Sequence, residues 1–267
     1  MSNIEYGPGA RNQMDIYLPA NPKGAPVVIF VHGGRWMRND KSQVELYDRI
    51  RKFNDAGFVL VSFNYTYATE KIWPAQLDDT LSVIAFVRAQ AESIGYDADR
   101  IALYGQSSGA HLALMAALKL AETPGDGVDA VVSWYAPSDL YNIAADRAGD
   151  DVPDRDPAVS GLAPEDVLLG VSTTENKAAA DAASPVPYLL SMANGAKLPP
   201  LLIVHGDADT VVSPLQSERL YQAWRAYSGD GGAKLRYVKG GGHGGARFEN
   251  EPSIAIAFLK AHLEKPD

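Results

Sequence analysis

The sequence predicts an α/β protein: one domain built on an open, mostly parallel central sheet with helices on both faces. Three observations carry that prediction. Short apolar, β-branched runs alternate with longer stretches whose apolar residues recur at helical spacing, the order that builds strand–helix–strand units. Several runs are continuously apolar rather than alternating, such as Val27-Val28-Ile29-Phe30-Val31 and Leu201-Leu202-Ile203-Val204, which is how strands covered on both faces read. A chain of 267 residues also buries about three quarters of its unfolded surface, enough for a core without disulfide or metal staples.

Taken in order, strands are expected at Gln13–Leu18, Pro26–Val31, Phe58–Tyr65, Arg100–Tyr104, Val128–Tyr135, Leu201–His205 and Leu235–Val238. Between them, Val44, Tyr47, Ile50 and Phe53 recur every three residues and stop at Gly57. Leu77, Leu81, Ile84 and Val87 form a second helical stripe behind Pro74, a favoured first-turn residue, and end at Gly95. Further helices are expected at Ser108–Glu122, Pro214–Tyr227 and Pro252–Leu263. The whole span 1–267 reads as one domain. Its rhythm breaks only from Pro137 to Lys197, a stretch rich in Asp, Pro, Ala and Gly. So long a connection in a compact domain is expected to be functional, so 137–197 is read as a lid or pocket-wall insertion. Its acidic cluster, Asp146, Asp150, Asp151, Asp154 and Asp156, lacks the central glycine and distal glutamate of a calcium loop and reads as solvated.

Composition removes whole classes of function. With no cysteine, disulfide frameworks, thiolate zinc sites, iron–sulfur clusters and a cysteine nucleophile are excluded. A net charge of −9 argues against nucleic-acid or anionic-membrane partners. The longest fully apolar run, Leu112–Leu118, is seven residues, against the ~18 or more that span a bilayer. The opening Met1–Gly7 has neither the basic nor the apolar region of a secretion signal. The expectation is a cytoplasmic protein without cofactor or metal that acts on a small molecule, with a homodimer left open.

The chemistry is concentrated in three places. Gly105-Gln106-Ser107-Ser108-Gly109 matches G-x-S-x-G, a weak pattern alone but strong in its context. A strand precedes it and Ala110-His111-Leu112-Ala113-Leu114 opens a helix behind it, the strand–turn–helix setting that holds a nucleophilic serine on a tight turn. Only Ser107, not Ser108, has glycine on both sides at two residues' distance. A serine hydroxyl needs a positioned base, and His243, in the run Gly240-Gly241-Gly242-His243-Gly244-Gly245 just past the last strand, is the best histidine. His111 reads as packed, His205 as a strand end and His262 as part of the terminal helix. The acid should follow a late strand. Asp209 is preferred because it lies further past the strand and is followed by Val211-Val212, which can anchor the loop; Asp207 is the alternative. Finally, the strand Val27–Val31 runs into His32-Gly33-Gly34-Arg35-Trp36, a turn suited to backbone N–H donors for an oxyanion. The candidate oxyanion-hole residues are Gly33, Gly34, Arg35 and Ser108, with His32 as a loop orienter. Trp36, Tyr67 and Trp73 are the candidate substrate-binding aromatics.

On these segments, together with Met14-Asp15-Ile16-Tyr17-Leu18-Pro19, Phe63-Asn64-Tyr65, Trp73-Pro74-Ala75-Gln76 and Ala183-Ser184-Pro185, the chain resembles α/β-hydrolases of the esterase/lipase type over essentially its whole length. More narrowly it resembles the acetyl-xylan/feruloyl-esterase-like and kynurenine-formamidase-like carboxylesterases. The chain order Ser107, Asp209, His243 is that of the α/β-hydrolase triad. The resemblance implies a serine carboxylesterase acting on short acyl, aryl or sugar esters through an acyl-enzyme. An arylformamidase on the same machinery is the alternative, and an inactive ligand-binding homologue is the reading from a different class. The chain departs from the hormone-sensitive-lipase group at Arg35, where that group has a third glycine, and from related esterases at Thr66, where arginine usually follows Asn-Tyr.

Overall fold

The computed structural model describes residues 1–149, 161–193 and 195–263. Among these residues eight strands form one sheet: β1 (Ile4–Glu5), β2 (Gln13–Tyr17), β3 (Pro26–Val31), β4 (Val59–Phe63), β5 (Asp97–Gln106), β6 (Ala130–Trp134), β7 (Leu201–Gly206) and β8 (Ala233–Val238). Their spatial order is β1-β2-β4-β3-β5-β6-β7-β8. The β1–β2 and β2–β4 pairs are antiparallel, and every pair from β4 to β8 is parallel. The sequence expectation missed β1, which is only two residues long and carries no alternation to detect.

The continuous apolar strands are explained by what lies above and below them. In β3, Val27, Ile29 and Val31 enter one core, which also holds Val83 of α2 (Ala75–Ile94), Leu114 of α3 (Ser108–Ala121) and Leu220 of α8 (Pro214–Ser228). Val28 and Phe30 enter the opposite core with Phe53 of α1 (Arg49–Asp55) and Leu259 of α9 (Glu251–Leu263). Residues alternate between faces along a strand, so a sheet clothed on both sides has no polar face to show in its sequence. The parallel order brings the C-terminal ends of β3, β5, β7 and β8 to one edge. In such sheets that edge is where sites form.

Two expectations are corrected. The stretch Val44 to Phe53 is not one helix: a 3₁₀ segment, Lys41–Asp48, breaks at Leu46, Tyr47 and Asp48 before α1 begins. A spacing of three is the 3₁₀ period rather than the 3.6 of an α-helix. The second correction falls in the 137–197 insertion, whose described part is four short helices: α4 (Ile143–Gly149), α5 (Pro164–Leu169), α6 (Lys177–Ala182) and α7 (Pro185–Ser191). Asp146 is not solvated. It is buried at 6% exposure, pairs with Arg219 at 2.8 Å and accepts from the Gln216 amide at 2.5 Å. Asp150, Asp151, Asp154 and Asp156 lie outside the described residues. Elsewhere the segment is tied to the rest of the domain: Leu168 accepts the Trp73 N–H at 2.8 Å, and Gln216 Oε1 of α8 accepts the Ser138 N–H at 2.8 Å.

Candidate active site

Ser107 stands between the end of β5 and the start of α3 with φ 54° and ψ −127°. That backbone conformation is sparsely populated for any residue with a side chain, and its cost of roughly 1–3 kcal/mol is typical of functional turns. The turn is held from both sides. The Ser107 N–H donates to Trp134 at the end of β6 at 2.8 Å, and its carbonyl accepts from the His111 N–H at 3.1 Å. The flanking glycines are dictated by contact: a Cβ on Gly109 would overlap the carbonyl oxygens of Val31 and His32, and one on Gly105 would overlap the backbone of Gly109.

Asp209 and His243 arrive from the ends of β7 and β8. These loops interlock where the Ala208 N–H donates to the Gly241 carbonyl at 2.9 Å. A Cβ on Gly206 would overlap that same carbonyl. The interlock brings His243 Nδ1 to 2.7 Å from Asp209 Oδ2 and His243 Nε2 to 2.9 Å from Ser107 Oγ. A carboxylate can only accept, so the hydrogen-bond network assigns the proton to Nδ1 and leaves the Nε2 lone pair facing the serine hydroxyl. The three residues are separated by 136 and 34 positions in sequence, yet form one line of hydrogen bonds. Asp207, the alternative acid, is exposed and points elsewhere: its Oδ1 accepts the Gly240 N–H at 2.5 Å.

Asp209 is 2% exposed. Burial alone would raise its carboxyl, but hydrogen bonds from His205 and His243 outweigh that and hold it well below the usual carboxylate range. Its Oδ1 accepts the N–H groups of Val211 and Val212 at 2.8 and 3.1 Å. His205 is a partner that sequence reasoning passed over as a strand end. Its Nε2 lies 3.0 Å from the Val212 carbonyl and 3.2 Å from Asp209 Oδ2, while Nδ1 accepts from the Ser217 hydroxyl at 2.6 Å. The signal available was its position four residues before the acid. Tyr135, also unforeseen, lays its ring 4.3 Å from the His243 imidazole.

The turn after β3 approaches the elbow closely, since a Cβ on Gly33 would sit 2.9 Å from the Gln106 carbonyl oxygen. Of the expected oxyanion donors, Gly33 is corrected: its N–H is engaged by Gln43 Oε1 at 2.6 Å. Gly34 has φ +132° and a Cβ there would overlap the Arg38 carbonyl, so only glycine fits; Arg35 follows with φ 56°. Ser108 opens α3, where first-turn N–H groups have no intrahelical acceptor. His32 is fully buried and stacked on Tyr65 at 4.2 Å, with its Nδ1 donating to the Gly33 carbonyl at 2.8 Å. Burial pulls its pKa down to about 4, so the ring is neutral.

Of the three aromatics, Trp36 is corrected from substrate platform to support. It is 2% exposed, and its indole N–H donates to His111 Nδ1 at 3.1 Å. His111 Nε2 in turn donates to the Ala183 carbonyl at 2.6 Å, tying α3 to the insertion, and burial lowers its pKa to about 4. Tyr67 is half-buried beneath the Arg11 guanidinium, 3.5 Å above its ring, and its hydroxyl donates to the Asn39 carbonyl. Trp73 is half-buried with its ring 5.4 Å from His111. Among the described residues no group of three or more metal-ligating side chains converges, and no helix is long and apolar enough to cross a membrane.

Comparison with known proteins is consistent across sequence and structure. The BD-FAE family model matches residues 14–224. Esterase LipQ of Mycobacterium tuberculosis is 34% identical over 234 residues, covering 84% of this chain and 52% of its own length. Esterase LipC of the same organism is 30% identical, covering 98% of this chain and 65% of its own. The chain therefore spans between about half and two thirds of the length of these curated relatives. Among solved structures, a truncated form of a carbohydrate esterase from gut microbiota superposes with a TM-score of 0.80 at 26% identity, over 98% of this chain and 96% of that one. A bifunctional GH43-CE protein of Bacteroides eggerthii superposes with a TM-score of 0.82 at 27% identity, over 99% of this chain and 38% of that one.

Proposed function

The chain belongs to the BD-FAE family and has the α/β-hydrolase fold, and on that premise we propose that it is a carboxylic ester hydrolase using Ser107, His243 and Asp209 as a catalytic triad. The observation that carries this reading is the pair of hydrogen bonds running from Asp209 through His243 to the hydroxyl of a serine on a strained turn. The relatives' names agree: LipQ and LipC are esterases, and the gut-microbial neighbour is a carbohydrate esterase.

In this reading His243 Nε2 takes the Ser107 proton as Oγ attacks the ester carbonyl carbon. The oxyanion of the tetrahedral intermediate is met by the N–H groups of Gly34 and Ser108, the latter at the positive end of α3. Collapse returns the proton from His243 to the leaving alcohol and leaves an acyl-Ser107. Water gives a proton to His243 as it attacks that acyl group, and collapse returns the proton to Ser107 Oγ as the acid leaves. Asp209 stays ionised throughout, fixing the imidazole tautomer and stabilising the imidazolium in each half-reaction.

The acyl group is short, acetyl to butyryl. The described part of the insertion consists of helices of six or seven residues, none of them the longer amphipathic helix that docks on a lipid interface. The net charge of −9 also works against anionic lipid surfaces. A p-nitrophenyl ester series from acetate to palmitate, run beside an aryl formamide, tests this. The expected result is kcat/KM falling beyond four carbons with the formamide slower than the best ester. A maximum at eight or more carbons would overturn the acyl assignment, and faster formamide hydrolysis would make the enzyme a formamidase.

A further inference from the structure

One short segment, Gln43 to Arg49, touches three of the four loops that the proposed chemistry uses. Gln43 Oε1 accepts the Gly33 N–H of the turn after β3 at 2.6 Å. Arg49 Nη2 donates to Gln106 Oε1 at 2.5 Å, on the residue immediately before Ser107. The Tyr47 hydroxyl accepts the Gly245 N–H at 2.8 Å, two residues beyond His243. The segment is also internally braced, because Arg49 Nη1 donates to the carbonyls of Gln43 and Leu46 at 3.1 and 3.3 Å.

Two features of this segment run against stability. Arg49 is fully buried, and among the described residues no carboxylate pairs with it. Its guanidinium is instead enclosed by the rings of Phe30, Tyr47, Tyr104 and Trp134 at 4.7–5.3 Å, with Nε donating to the Tyr104 hydroxyl at 3.1 Å. Burying a cation is costly even when aromatic faces and neutral oxygens surround it. The backbone beside it is strained as well, with Tyr47 and Asp48 at φ 60° and 56°, the left-handed region that bulky residues avoid. Both costs fall on the residues that reach the three loops.

We propose that Gln43–Arg49 is a positioning clamp, centred on Arg49, that holds the oxyanion turn, the nucleophile elbow and the histidine loop in mutual register. The proposal rests on the serine-hydrolase reading above. Those loops leave three different strands, and the sheet alone does not fix their tips. A misplacement of about 1 Å costs roughly 100-fold in rate. Arginine suits the central position because its rigid planar fork addresses Gln106 and the Gln43 carbonyl together while its faces stack on the rings, which lysine cannot reproduce.

The test uses the full chain and p-nitrophenyl acetate, with fluorophosphonate labelling rates and melting temperatures beside the kinetics. Arg49→Lys and Arg49→Met are expected to lower kcat by about 100-fold, and Gln43→Met and Tyr47→Phe by about tenfold. KM should hold in all four, because the clamp touches the reacting groups' supports rather than the substrate. The Gln43→Met/Arg49→Met double variant should lose less than the product of its singles. Gln43 and Tyr47 are only half-buried, so their variants should melt near the wild type and report even where the Arg49 variants fail to fold. An active wild type whose Gln43→Met and Tyr47→Phe variants keep full kcat would overturn the clamp while leaving the hydrolase reading intact. Losses that multiply, or that appear in KM alone, would also overturn it. A wild type that neither hydrolyses nor labels would overturn both.

Discussion

Replacing Asp209 by asparagine changes one atom of the site and has a consequence that follows from its four partners. In the wild type Oδ1 accepts two backbone N–H groups, from Val211 and Val212 at 2.8 and 3.1 Å. The substituted side chain can satisfy both only by turning its amide oxygen toward them, which puts its NH₂ where Oδ2 stood. A donor then faces His243 Nδ1, previously a donor at 2.7 Å. The imidazole resolves the clash by carrying its proton on Nε2, so an N–H instead of a lone pair meets Ser107 Oγ at 2.9 Å. The base is lost although the fold is kept. The expected fall in kcat is about 10⁴, or about 5 kcal/mol of transition-state stabilisation, with little change in KM. Asp207→Asn is the matched control: its exposed carboxylate accepts one backbone N–H from Gly240, an amide oxygen does the same, and activity should stay within about twofold. Single-turnover acylation by stopped flow, with steady-state rates alongside, reads both. A larger loss from Asp207→Asn, or a loss under about tenfold from Asp209→Asn, would mean that Asp209 does not set the His243 tautomer.

The other expectations concern stability. Gly109→Ala places a methyl group on the carbonyl oxygens of Val31 and His32, backbone atoms that cannot swing aside, and should cost about 3 kcal/mol or more in urea unfolding; a variant of wild-type stability would mean that the elbow does not approach β3 so closely. His32 and His111 are both depressed by burial from 6.5 to about 4. The unfolded chain therefore binds their protons more readily. Their neutral-state contribution is complete above pH 6.5 and lost as pH falls from 6.5 toward 4, by up to about 3 kcal/mol for each ring. Melting temperature should hold from pH 8 to 7 and fall below 6.5, and a melting temperature that rises toward pH 5 would contradict this. Asp209, held low, contributes in a separate window: its share is present above the ordinary carboxylate pKa and lost only as pH drops well below it.

Much of the fold could be read because it is written in local pattern. β3 has the predicted bounds, Pro26–Val31, since a β-branched run between a proline and a His-Gly-Gly turn admits few others. The helix α2 ends where Gly95 takes φ 96°, a left-handed cap that glycine supplies without strain. Ser107, Asp209 and His243 were legible because each is announced by its own neighbours, and the structure brings all three together. What escaped depends on partners far away in sequence. Trp36 follows a glycine turn and reads as a substrate contact, but its indole meets His111, 75 residues on. Asp146 sits in an acidic stretch and reads as solvated, yet Arg219 and Gln216 of α8 claim it from 73 and 70 residues away. The Gly33 N–H looked available until Gln43 folded back onto it. Burial and hydrogen-bond supply at such positions are decided by tertiary packing, which no local window contains.

The proposed mechanism depends above all on Ser107 as the nucleophile, activated by His243. Reacting the purified chain with a fluorophosphonate and mapping the adduct by mass spectrometry tests it most directly. The expected result is one phosphonyl group per chain on Ser107, abolished by Ser107→Ala, retained in Ser108→Ala, and slowed severely by His243→Ala. An adduct on Ser108, or labelling that survives in a folded Ser107→Ala variant, would contradict it.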